Sequence, residues 1–151
     1  SRSAAVNYYA EREREAWRAN AGKLADIDKE FREAMTALSE ENAKRLRQIT
    51  EQNSAEHQAL SQQGLSSGDR AAESRRIQSD SSQAREELAG WYQQSRRAIN
   101  EEHARKRAAQ FDATNALIEQ IGEQRAATLR RLSTSPARND EPRPTEPGET
   151  Q

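Results

Sequence analysis

The sequence contains no cysteine. That excludes a disulfide framework, a thiol nucleophile and a zinc–thiolate site. Proline is missing until Pro136, and Gly22 is the sole glycine before residue 62. Large apolar side chains are scarce: Leu, Ile, Val and Phe number 18 among 151 residues. No stretch approaches the roughly 18 consecutive apolar residues of a transmembrane helix. The opening SRSAAVNYYAERERE has no apolar segment of the secretory kind. Membrane insertion is therefore not expected. A dominant charge sign is also missing, with 24 Lys and Arg against 25 Asp and Glu. Mixed charge at 32% of the chain suits long, solvated helices laced with ion pairs better than a self-repelling coil. With so little apolar material, a monomer cannot bury a globular core. Its stability must come from helix pairing, oligomerisation or docking.

The apolar residues that are present follow a helical period. Leu24, Ile27, Phe31, Met35, Leu38, Leu46, Ile49 and Leu60 recur at steps of three and four or their multiples. Ala16, Ile27, Leu38, Ile49 and Leu60 are each eleven apart, as are Leu24, Met35, Leu46 and His57. A second run has the same spacing: Ile77, Leu88, Ile99, Gln110, Ile121 and Leu132, with one polar member. Eleven residues in three turns is a hendecad repeat of about 3.67 residues per turn, which pairs helices with little left-handed supercoil. Thr114, Asn115 and Gly122 are weak helix formers within the second run.

Between the runs, GLSSG at 64–68 crowds two glycines and two serines into five positions. Two helical stretches of similar length on either side of a short break suit an antiparallel hairpin. The expected fold is all-α: a first helix over 4–62, a turn over 63–68, a second helix over 69–132 and an extended or disordered tail over 133–151. In the turn, Gly64 is the candidate for a left-handed C-cap. Ser67 or Asp69 is the candidate N-cap, followed or accompanied by the flexible Gly68. The tail holds all four prolines and almost nothing apolar. The alternative to a hairpin is two helices splayed onto other subunits.

Catalytic and metal chemistry find little support. His57 and His103 are the only histidines, and no HExxH spacing exists. In a hairpin closing near residue 66, His57 would face about residue 75 rather than His103. Both read as polar residues tolerated on a thin interface. Glu11, Glu13, Glu15, Glu40, Glu41, Glu101 and Glu102 lack the enclosed pocket that acid–base work requires. Their expected role is i,i+4 pairing with Arg and Lys. No phosphate-cradling loop is present. No cofactor and no enzymatic activity are expected.

Arg outnumbers Lys twenty to four, but neither helix is one-sidedly basic. The patch Arg96, Arg97, Arg105, Lys106 and Arg107 could meet a phosphate or a partner without reading sequence. Asn20, Asn42 and Asn53 fall in phase with Phe31 and are candidates for buried register-setting polar residues. The aromatics Tyr8, Tyr9 and Trp17, and again Trp91 and Tyr92, are candidate docking points for a partner. Trp91 and Tyr92 are adjacent, so at most one is expected to face the other helix.

Residues 64–110, GLSSGDRAAESRRIQSDSSQAREELAGWYQQSRRAINEEHARKRAAQ, resemble the small internal virion proteins of short-tailed bacteriophages. In that family a Gly/Ser turn precedes a Ser-x-Asp-Arg start and a long helix rich in Arg, Gln and Ala. Ser67, Asp69 and Arg70 match that start. The resemblance implies a multi-copy, homo-oligomeric helical assembly inside the capsid near the portal, in contact with other virion proteins and leaving with the genome. Family members often carry an apolar N-terminal segment, whereas this one is charged. A structural or adaptor role is thus expected rather than a pore. The coiled-coil stalk of a type III-like export machine and a capsid scaffolding protein are the rival expectations.

Overall fold

The computed structural model describes residues 1–134; the tail expected from 135 onward lies outside the described residues. Two helices make up nearly all of it: α1 (Arg2–Ser61) and α2 (Ser67–Thr134). Both are rich in Ala, Arg, Glu and Gln and free of proline, so backbone propensity and solvent both favour helix. Among the described residues there is no strand. The fold is a helical hairpin, as the two apolar runs and the single break predict.

The boundaries follow from local capping. The Ala4 N–H donates to Ser1 Oγ at 3.2 Å and the Ala5 N–H to the Ser1 carbonyl at 3.1 Å, so α1 begins ahead of residue 4. At the other end, the Gln62 and Gln63 N–H groups reach back three residues to the carbonyls of Ala59 and Leu60. This tightened last turn ends the helix. Neither Gly64 nor Gly68 adopts a left-handed backbone, so the C-cap expected at Gly64 is not used. Arg70 takes its place. Its guanidinium donates to the carbonyl of Leu60 at 3.1 Å and to that of Gln63 at 2.7 Å. A cation at the negative helix end satisfies carbonyls that have no intrahelical partner.

The N-cap of α2 is Ser66 rather than Ser67 or Asp69. Ser66 Oγ accepts the Asp69 N–H at 3.2 Å, and the Ser66 carbonyl accepts the Arg70 N–H at 2.9 Å. Asp69 therefore stands three residues inside, where its carboxylate faces the positive helix end. At the far end α2 runs two residues past 132. Ser133 Oγ and Thr134 Oγ1 donate back to the carbonyls of Leu129 and Arg130, at 2.8 and 3.0 Å. Hydroxyls that cover terminal carbonyls extend a helix for which the sequence pattern gives no apolar signal.

The hairpin divides into two compact units. Unit 1 joins residues 1–25 to residues from 107 onward, and unit 2 comprises residues 26–106. In unit 2, Leu38, Leu60, Ile77 and Leu88 are buried. In unit 1, the buried apolar residues are Ala16 and Ile121, the latter only 1% exposed. The antiparallel register is explicit in each. Unit 1 pairs Tyr9 with Thr128, Arg12 with Gln124 and Asn20 with Thr114. Unit 2 pairs Glu30 with Lys106 and Thr50 with Arg85.

Arg70 is the side chain that closes the α1 end of the turn. Arg70→Ala should lower unfolding stability by about 1–2 kcal/mol, the range of a charge-assisted cap. Arg70→Lys should recover only part of it, because an ammonium cannot fork to two carbonyls. Urea denaturation followed by circular dichroism checks this. Equal stability of all three proteins would show that the guanidinium does not hold the turn.

Candidate interaction site

The buried apolar positions repeat at multiples of eleven, with Ala16, Leu38 and Leu60 on α1 and Ile77, Leu88 and Ile121 on α2. Leu24, Ile27, Phe31, Met35, Ile49, Ile99 and Leu132 are half-buried on the same stripes. Leu46 departs from the expected packing set, with 40% of its surface exposed. Its series (Leu24, Met35, Leu46, His57) runs along the edge of the α1 stripe rather than its centre. A side chain at an edge is covered only where a bulky neighbour reaches over it.

Polar layers interrupt these stripes. In unit 1, Asn20 and Thr114 are buried, and Thr114 Oγ1 donates to Asn20 Oδ1 at 2.8 Å. Gln110 Nε2 donates to the same Asn20 oxygen and to Thr114 Oγ1, each at 3.2 Å. A buried acceptor that receives two donors is a satisfied group, and it ties one register of α2 against α1. Asn42 and Asn53, in phase with Asn20, are half-buried. Asn53 Oδ1 is buried without a hydrogen-bond partner, beside a gap of about 70 Å³ that Ile77 and Ser81 also line.

Unit 2 has a second polar layer. The His103 ring stacks on Phe31 with centroids 4.2 Å apart and planes 23° from parallel. Its Nε2 lies 2.7 Å from Asp28 Oδ1. Next to it is a surface pocket of about 240 Å³. Ile27, Phe31, Ala34, Ala98 and Ile99 form its apolar floor, and Glu30, Glu102, His103 and Lys106 form its rim. The small side chains of Ala34 and Ala98 leave this space unfilled. Lys106 bridges the rim, 3.1 Å from Glu30 and 3.7 Å from Glu102. Such a recess can receive an apolar side chain from a partner. His57, by contrast, is half-buried elsewhere in unit 2. Among the described residues no cluster of three or more His, Asp or Glu is placed to hold a metal ion.

The candidate docking aromatics do not behave alike. Tyr8 and Trp17 are exposed, at 58% and 43%. Tyr9 is half-buried, its hydroxyl 2.8 Å from Thr128 Oγ1, and it meets Tyr8 edge-on with centroids 4.9 Å apart. Trp91 and Tyr92 are both half-buried. The Arg45 guanidinium lies over the Trp91 ring, 3.9 Å from its centroid. A long cation from α1 thus covers one face of the Trp91 ring at the stripe's edge.

The basic patch is interleaved with acid. Arg105 pairs with Glu102, Lys106 with Glu30 and Glu102, and the Arg107 guanidinium lies 6.0 Å from the centre of the Phe111 ring. Arg96 and Arg97 border a shallow depression with Gln93, Asn100 and Glu101. Most other ion pairs lie within one helix, as in Glu11–Arg14, Glu41–Arg45 and Glu73–Arg76–Asp80. Hydrogen bonding from Arg76 holds the Glu73 carboxyl below the ordinary carboxylate range, and Arg14 does the same for Glu11. Such a depressed group stabilises the folded state above its unfolded value, and the contribution is lost as the pH falls through the folded one.

The buried Asn20–Thr114–Gln110 layer was half legible. Asn20 stood in phase with Phe31 and Gln110 broke the Ile77 series, but only the register brings the two to one level. Asp28, the partner of His103, carried no pattern of its own, and Arg70 stood out only in the Ser-x-Asp-Arg start, not as the cation on the turn carbonyls. No protein-family model, curated protein or solved structure matches this chain.

Two measurements follow from these contacts. Thr114→Val leaves Asn20 with one donor fewer and should cost about 1–3 kcal/mol, whereas Asn20→Leu with Thr114→Val should recover most of that loss. Additive losses in denaturant unfolding would mean the layer is not coupled. Separately, Arg76→Gln should raise the titration midpoint of the Glu73 carboxyl, read by carbon NMR. An unmoved midpoint would show that the pair does not form in solution.

Proposed function

We propose that this chain is a non-catalytic structural protein that works by helix packing, present in several copies within a larger assembly. One observation carries the reading: the hairpin does not enclose its own apolar surface. Among the described residues six apolar side chains are buried, while seven large ones, including Tyr8, Trp17, Leu46 and Phe111, stay exposed. A helix pair has one seam and no second layer, so its outer apolar positions need another chain to cover them. Among the described residues no helix is long and apolar enough to cross a membrane. This fits a component that acts through protein contacts.

The specific version of the proposal is an internal virion protein of a short-tailed phage, arranged as a helical ring or tube near the portal and aiding genome delivery. Its support is the resemblance over 64–110. Within that stretch, Asp69 and Arg70 have defined work at the turn: Asp69 at the positive end of α2, Arg70 on the carbonyls that end α1. A turn fixed in this way presents the same hairpin in every copy, which a symmetric assembly requires.

Mass spectrometry of purified virions, full and after triggered DNA release, tests the specific version. The chain should be present in full particles and lost on emptying. Its absence from every virion would remove the phage assignment and leave the structural reading to be placed in an export stalk or a capsid scaffold.

A further inference from the structure

We propose that the Asn53 level of the seam in unit 2 is a water-binding site, where an ordered water donates to Asn53 Oδ1 and bridges it to the Ser81 hydroxyl. The water does there what the Thr114 hydroxyl and the Gln110 amide do for Asn20 in unit 1.

The two levels are equivalents in the eleven-residue repeat. Asn53 stands three repeats after Asn20 on α1, and Ser81 stands three repeats before Thr114 on α2. In an antiparallel pair these steps cancel, so the offset that sets Asn20 opposite Thr114 also sets Phe31 opposite His103 and Asn53 opposite Ser81. Each level shows it: Thr114 bonds to Asn20 at 2.8 Å, Phe31 stacks on His103, and Asn53 and Ser81 line one gap.

The levels differ in their donors. Asn20 Oδ1 receives the Thr114 hydroxyl and, at 3.2 Å, the Gln110 amide. The residue three repeats before Gln110 is Ile77, which has no side-chain donor and is only 2% exposed. Serine at 81 also lacks the methyl group by which threonine fills space and stiffens its own rotamer. The result is the gap of about 70 Å³, beside which Asn53 Oδ1 is buried without a hydrogen-bond partner. A buried amide oxygen that meets no donor is costly, and most such groups are met by protein or by ordered water.

The lining selects water over an ion. Glu56 and Asp80 border the gap, but Glu56 accepts from Gln52 Nε2 at 3.0 Å and Asp80 accepts from Arg76 at 2.8 Å. The buried polar groups are neutral: a carbonyl oxygen that needs a donor and a hydroxyl that can give or receive. Ile49, Ile77 and Ala84 supply apolar wall. A water takes roughly 30 Å³ in the liquid, so the gap accepts one without displacing these side chains.

Water–protein NOE spectroscopy of the full chain, with labelled isoleucine and alanine methyl groups, tests this. The methyls of Ile77 and Ala84 should give cross-peaks to water with the sign of a long-lived bound molecule. Asn53→Leu removes the acceptor, and Ser81→Thr fills the gap with the side chain that the equivalent level uses. Both variants keep a hydroxyl at position 81. The cross-peaks should fall to background in each, with helicity by circular dichroism unchanged. Their absence from the wild type overturns the proposal. So does their survival in either variant that keeps its helicity, because a signal that needs only the hydroxyl is proton exchange and not bound water.

Discussion

The structure depends on how little apolar surface two facing helices can share. A helix pair buries one stripe from each partner, and here the central position of each stripe comes round once in eleven residues. Ile27 and Ile49 fall between Leu38 and its neighbours on α1 and are only half-buried. So few buried side chains cannot choose among registers through apolar contact alone, because sliding by eleven replaces one aliphatic with another. Polar groups remove that ambiguity. Asn20 accepts from Thr114 and Gln110 at one level only, and Asp28 meets His103 at one level only. A slip would leave these groups without partners in a partly dehydrated seam, where an unmet hydrogen bond costs more than a made one contributes.

The exposed ion pairs have a different weight. Pairs such as Lys29–Glu33 lie along single helices with most of each side chain in water. Each adds a few tenths of a kcal/mol to local helicity and says nothing about the partner helix. The cross-helix contacts are fewer and more informative. Arg70 at the turn and the Asn20 layer in unit 1 pin the two helices at separate places, so each unit has its own device for holding the pair together.

Much of the fold was legible because helical burial leaves a periodic trace. The eleven-residue spacing of Ile77, Leu88 and Ile121 is visible in the sequence and is buried in the structure. The turn was legible in place but not in mechanism. SSGD offers several caps, and the backbone selects Ser66 because its hydroxyl is three residues from the Asp69 N–H. The Gly64 cap failed for a related reason: a glycine permits a left-handed turn without requiring one, and Arg70 satisfies the carbonyls instead. Leu46 shows the limit of phase reading, since a series at a stripe's edge cannot be told from one at its centre by spacing alone. The candidate surface was less legible. Ile27, Phe31 and Ile99 were visible as packing positions, but the recess they share with Ala34 and Ala98 depends on the register that brings the two helices together. The functional expectation rests on a resemblance alone, because rods of Ala, Arg, Glu and Gln look alike whatever they are built into.

The account leaves outer apolar side chains of both units, Tyr8, Trp17 and Phe111 in one and Leu46 in the other, without cover until a further chain packs on them. Hydrogen–deuterium exchange of the full chain, measured at low and at high protein concentration, addresses that claim directly. Slower exchange at high concentration in the helical stretches that carry these side chains is the predicted result. Exchange that is independent of concentration throughout would contradict it.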